Sequence, residues 1–102
     1  MQFPHIHLNG SAASSLMVDN LNALRVVQIA HDTLAAAAPH ARDYYPLGPD
    51  AYQTACREHG ERLGRLASVM ADINAICESI NDQQDARDAA HLAVARHQYR
   101  RR

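Results

Sequence analysis

Seven side chains are candidates, by type and spacing, to hold a small anion or a metal ion: His5, His7, His31, Arg42, Tyr44, Tyr45 and His59. An imidazole can ligate zinc or donate a hydrogen bond to an anion. A guanidinium can grip a phosphate through two parallel hydrogen bonds, and a phenol ring can stack on a base. Their spacing groups them. His5 and His7 form a His-x-His pair near the start, and Arg42, Tyr44 and Tyr45 crowd a short segment bounded by prolines. His31 and His59 each interrupt an otherwise apolar stripe.

Helical elements must position these groups. From Tyr52 to Ile80, steps of four and three give Tyr52, Cys56, His59, Leu63, Leu66, Met70, Ile73, Cys77 and Ile80, a stripe along one helix face. Arg57, Glu58, Glu61, Arg62, Arg65, Asp72 and Glu78 fall on the charged remainder, so the stripe needs another helix to cover it. A capping box of Asp50 and Gln53 starts this helix, which is expected over 50–80. An earlier helix is expected over 11–38, capped by Ser14 or Ser15 and stopped by Pro39. Its stripe is Met17, Leu21, Leu24, Val27, His31 and Leu34. Val26 and Ile29 lie off it, which leaves apolar surface beyond what one partner helix can cover.

Between the helices, residues 39–49 hold three prolines and a glycine, which argues against regular structure, and more functional groups than a reversal requires. Residues 1–10 read as an extended arm, because Pro4 disfavours helix at Phe3 and Asn9-Gly10 supplies a turn. His5 and His7 share one side of that arm. Asn81-Asp82-Gln83-Gln84-Asp85 reads as a break, and residues 82–99 as a weaker third helix, with Arg100, Arg101 and Arg102 fraying. The fold class is therefore all-α: one domain, an antiparallel helical hairpin with an extended N-terminal arm and a weaker C-terminal helix, associating into a helical-bundle oligomer.

Composition narrows the function classes. A chain of 102 residues gives a small core for a lone hairpin, so self-association is expected. The formal net charge of −1 gives no general attraction to nucleic acid or to an anionic membrane. Charge is uneven, with five Arg and eight acids in residues 1–81 against five Arg and three acids in residues 82–102. Asp82, Asp85 and Asp88 weaken the field of that basic tail, so neither nucleic acid nor membrane is expected as a partner. Cys56 and Cys77 would sit about 30 Å apart on one straight helix, too far to bridge, and read as small buried apolar residues in a reducing cytosol. No signal-peptide pattern and no membrane-length apolar run is present, so the expected location is cytoplasmic.

In a hairpin closed at 39–49, His31 falls opposite about position 58, near His59. Three readings of that neighbourhood compete. In the first, both histidines are satisfied within the core and Tyr44 and Tyr45 cover the hairpin end. In the second they join His5 and His7 as zinc ligands, a reading that no short His pair on a helix and no Cys cluster supports. Or Arg42, the tyrosines and the imidazoles hold a small anionic ligand derived from a nucleotide. Catalysis is not expected: there is no phosphate-binding Gly-rich loop, nucleophile elbow or HExxH, and Glu58 is only a sequential neighbour of His59.

Three segments carry a resemblance: His7-Leu8-Asn9-Gly10, the run from Ala38 through Arg42-Asp43-Tyr44-Tyr45-Pro46 to Gly48, and Glu58-His59 followed by Arg62-Leu63. Over residues 4–80 the chain resembles small helical-hairpin proteins encoded by bacteriophages and prophages. The resemblance implies a viral origin, and with it the bacterial cytoplasm as location, and a hairpin more than any activity; by analogy of size and setting, small phage proteins often act by stoichiometric binding. The reading reached is a non-enzymatic oligomer that needs no cofactor or metal and sequesters a nucleotide-derived signal to counter bacterial immunity. Arg42, Tyr44, Tyr45, His59, His31, His5 and His7 are its expected ligand-binding residues. The rival reading is a helical interaction protein that blocks or scaffolds a host or phage protein without a small ligand.

Overall fold

A computed structural model describes residues 1–100. It is all-helical, with two long helices packed against each other as a hairpin. Helix α1 is Ala13–Ala36 and α2 is Ala51–Arg100. The residues fall into two compact units, one of Met1–Asn22 with the chain from Ile73 on, the other of Ala23–Asp72.

In the second unit the inward stripes are those of a hairpin. Leu24, Val27, His31 and Leu34 on α1, and Tyr52, Ala55, His59, Leu63, Leu66 and Met70 on α2, are buried or half-buried. The expected stripes need two corrections. On the part of α1 that belongs to the first unit, Leu21 is 48% exposed and Asn20 is half-buried, its side-chain amide donating to the Leu16 carbonyl at 2.9 Å. Cys56 is exposed while Ala55 turns inward. The causes differ: on α1, counting back from Leu24, strict alternation of three and four lands on 20 and the size of Leu21 misleads, whereas on α2 the same alternation lands on Cys56 and it is the actual phase of the helix that turns Ala55 inward.

Helix ends follow local chemistry with small shifts. Helix α1 begins at Ala13, so Ser14 and Ser15 lie inside its first turn rather than capping it, and the first Leu16 N–H bond goes to the Ala12 carbonyl at 3.1 Å. It ends at Ala36, where the Ala37 N–H turns back to Leu34 at 3.0 Å, two residues before Pro39 would have forced the stop. The loop is more ordered than its prolines suggested. It forms two single-turn 3₁₀ segments, Ala41–Asp43 and Tyr45–Leu47. Proline fits the start of such a turn, where its missing N–H has no bond to make, and Pro46 sits there. Gly48 then takes φ 108°, a left-handed conformation that side chains resist, and the chain enters α2. Asp50 precedes the helix and its backbone carbonyl accepts from the Thr54 N–H at 3.0 Å.

In the first unit, α2 does not break at 81–85 and no separate third helix exists up to Arg100; Arg101 and Arg102 lie outside the described residues. The segment has no Pro or Gly, and Asn or Asp inside a helix costs only about 0.7 kcal/mol against Ala. Local bonds offset part of that: the Gln84 amide donates to Asp88 at 2.9 Å, one turn on.

The N-terminal arm lies on this part of α2. Gln83 holds it: its side-chain oxygen accepts from the Ile6 N–H at 2.9 Å and its amide nitrogen donates to the Pro4 carbonyl at 2.8 Å. One side-chain amide thus does for residues 4 and 6 what a neighbouring strand would do. A further bond from the Gln83 amide to Ser79 Oγ at 3.1 Å fixes its rotamer. The two buried apolar side chains among the described residues, Ile6 and Ile80, both belong to this unit. Gln83→Ala should therefore strand a part-buried donor and acceptor and cost about 1–3 kcal/mol. Amide exchange at Ile6 and proteolysis of the arm should accelerate, and unchanged protection of Ile6 would show that burial alone holds the arm.

Candidate functional site

The hairpin end in the second unit carries five of the seven candidate side chains. Arg42 is exposed in the first 3₁₀ turn and has no carboxylate partner among the described residues. Tyr45 is 75% exposed at the start of the next turn. Tyr44 is half-buried and rests against Tyr52, ring centroids 6.4 Å apart and tilted by 43°. That aromatic contact ties the loop to the first turn of α2. Tyr44 therefore has a structural task, whereas Arg42 and Tyr45 are available to a ligand or partner.

His31 and His59 occupy inward positions of the two stripes, as the sequence register required, but they do not satisfy each other. His31 Nδ1 lies 3.3 Å from Asp32 Oδ1, its own sequence neighbour. His59 is 8% exposed, and its Nε2 is buried with no hydrogen-bond partner among the described residues. An unpaired buried nitrogen of this kind typically costs about 1–3 kcal/mol. Glu58 is turned away from it toward Arg62, 4.0 Å distant, in one of two exposed ion pairs along the charged face; the other joins Arg57 and Glu61 at 3.8 Å.

His5 and His7 belong to the first unit. Their rings stack with centroids 5.9 Å apart and planes 12° from parallel, as alternate residues of an extended chain allow. The His7 ring also covers Gly10, where an added Cβ would come 2.7 Å from Nε2. Together with the Gly10 N–H to His7 carbonyl bond of 3.1 Å, this accounts for the His-Leu-Asn-Gly sequence as a turn. His7 borders a hollow of about 440 Å³ whose wall includes Ser11, Arg87, Asp88 and His91. A second hollow of about 450 Å³ is lined by Ala12, Ala13, Ser14, Met17, Ile80, Asn81 and Gln84. Neither includes Arg42, Tyr44, Tyr45, His31 or His59. Among the described residues no three His, Cys, Asp or Glu side chains are grouped as a metal site would require.

Two contributors were missed in the sequence. Gln83 falls in the polar run expected to break the helix, yet with no Pro or Gly beside it its side-chain amide stands in for a strand against the extended arm. Cys56, expected in the core, is exposed and lies one turn from Tyr52. The thiol's hydrogen bonding, then its negative charge when ionised, hold the Tyr52 phenol above its ordinary pKa of 10.0. A raised folded-state value means this group favours the folded state below pH 10 and loses that contribution as pH rises through the raised pKa. Cys56→Ala should bring Tyr52 back toward the ordinary value. Ultraviolet titration of tyrosinate checks this, and an unchanged last-titrating tyrosine would mean the thiol is not the cause.

No protein-family model matches this chain, and no curated protein and no solved structure matches it either. Fold and surface define it as a helical hairpin with an anchored arm. No helix among the described residues is long and apolar enough to cross a membrane.

Proposed function

We propose that the chain is a non-enzymatic interaction protein that works by giving exposed apolar helix surface to a protein partner. One observation carries this reading: the apolar side chains outnumber the places where the hairpin can bury them. Among the described residues Ile6 and Ile80 are the buried apolar side chains, while Val18, Leu21, Val26 and Ile29 on α1 are 48–56% exposed. A helix that is apolar on both faces belongs in the interior of an assembly. The test places a photo-crosslinking amino acid at Val26 or Ile29 in cells, with Glu61 on the charged face as the control position. Protein adducts at 26 and 29 and none at 61 are expected. Absence of protein adducts at both would end this reading.

Binding of a small anionic, nucleotide-like ligand at the hairpin end remains the second reading. It is favoured by the unpaired Arg42 guanidinium, the open Tyr45 ring and the unpartnered His59 nitrogen. In the phage setting that the resemblance implies, such binding would sequester an immune signal. Arg42→Ala should then weaken the retained ligand by about 1.5–3 kcal/mol, the scale of a charged hydrogen bond. Thermal stability of the empty protein should stay unchanged, because Arg42 makes no ion pair. Lower stability with no change in small molecules released and identified by mass spectrometry would assign Arg42 to the loop's architecture.

A further inference from the structure

We propose that the hollow bordered by the arm, the start of α1 and one face of α2 binds a small phosphate-bearing anion, held by Arg87, His7 and His91. Its whole wall belongs to the first unit, so this site shares no residue with the hairpin end.

Three elements bring the groups together. On α2, Gln84, Arg87, Asp88 and His91 follow at i, i+3, i+4 and i+7, which sets them on one face over about 10 Å of helix. The arm, tied down by Gln83, contributes His7 together with the apolar Ile6 and Leu8. Ser11, Ala12 and Ala13 bring the start of α1 to the same place. The hollow of about 440 Å³ lies within the range of about 300–1,000 Å³ that small-molecule sites occupy. Two of its walls are carried by helices, so the donors on them hold their positions without a ligand.

The charge of the wall selects the sign of the ligand. Arg87 has no carboxylate within ion-pair distance among the described residues. Asp88 is the one acid on the wall, and its carboxylate already accepts from the Gln84 amide at 2.9 Å. Helix α1 adds to the positive side. The first N–H groups of a helix lack an intrahelical acceptor; Ala12, whose carbonyl takes the first bond, has no side-chain oxygen to cap them, and the first turn holds no acid. The positive end of a 24-residue helix thus meets a hollow that also holds a guanidinium and two imidazoles.

The directions of the donors select phosphate. Arg87 and His91 approach from α2, His7 from the arm, and Ser11 with the free N–H groups from α1. A carboxylate offers two oxygens in one plane, whereas a phosphoryl group offers three that diverge and can meet donors on three sides. Ile6, Leu8 and Ala12 leave an apolar wall for an organic remainder. A shared metal ion is the competing use of His7, Asp88 and His91, but among the described residues these are not grouped closely enough to hold one.

The test follows histidine ring and backbone amide signals of the full chain by nuclear magnetic resonance. Inorganic phosphate or phenyl phosphate is added up to about 10 mM, against chloride at equal ionic strength. Saturable shifts are expected at the His7 and His91 rings and at the Ala13 and Ser14 amides, with the His40 ring unmoved. Tighter binding of phenyl phosphate assigns the apolar wall to an organic remainder, and equal binding assigns the hollow to phosphate itself; the proposal stands in both cases. Arg87→Gln should weaken binding at least about tenfold, the scale of one charged hydrogen bond, and His91→Gln about threefold. Glutamine is a good helix former, so helical circular dichroism should stay unchanged in both. Arg42→Ala should leave these shifts as they are, which separates this site from ligand binding at the hairpin end. Shifts that fail to saturate, that chloride reproduces, that centre away from His7 and His91, or that persist undiminished in Arg87→Gln would each overturn the proposal.

Discussion

Two packed helices share a single seam, and that limit governs the rest of this molecule. Each helix can turn one stripe toward the other, so a side chain outside the stripe has nothing within the hairpin to cover it. A larger domain would meet such residues with a third layer. Here they stay open, and α1 in particular carries apolar residues on the side away from α2. Stability left after conformational entropy is small in any domain of this size, so surface removed from water by association contributes a large fraction of the total.

The arm is the molecule's own partial answer to the limit. It adds Ile6 to the buried set near Ile80, and it does so without a strand, because a glutamine side chain carries the same donor and acceptor as a peptide group. This depends on α2 remaining helical through residues 81–85, since only a continuous helix holds Gln83 in register with Ser79 one turn back. The polar run that looks like an interruption is therefore an attachment point. Its Asn and Asp residues cost the helix little.

Polar chemistry in the second unit is divided between two tasks. Tyr44 meets Tyr52 and fixes the loop, while Arg42 and Tyr45 stay exposed and without intramolecular work. His59 is the exception to good satisfaction, as a buried ring nitrogen without a partner. A leucine at this stripe position would carry no such penalty, so the imidazole is an unfavourable residue for packing alone. Its unpaired nitrogen is the feature of the hairpin that stability does not explain.

The sequence by itself determined the all-helical class, the hairpin, the loop position and the inward placement of His31 and His59. Heptad spacing, Pro39, Pro49 and Asp50 are local signals that act without tertiary help. It also determined that His5 and His7 share a side, because alternation is a property of any extended chain. Tertiary structure decided what depends on contacts between distant residues. The arm's resting place on Gln83 could not be read in advance, since a glutamine's partners are set by what folds over it. The choice of Asn20 over Leu21, and of Ala55 over Cys56, follows helix phase rather than residue polarity, and only packing fixes the phase to within one residue. The partnerless state of His59 was likewise illegible, because spacing can bring two histidines to one level but cannot say whether their nitrogens meet.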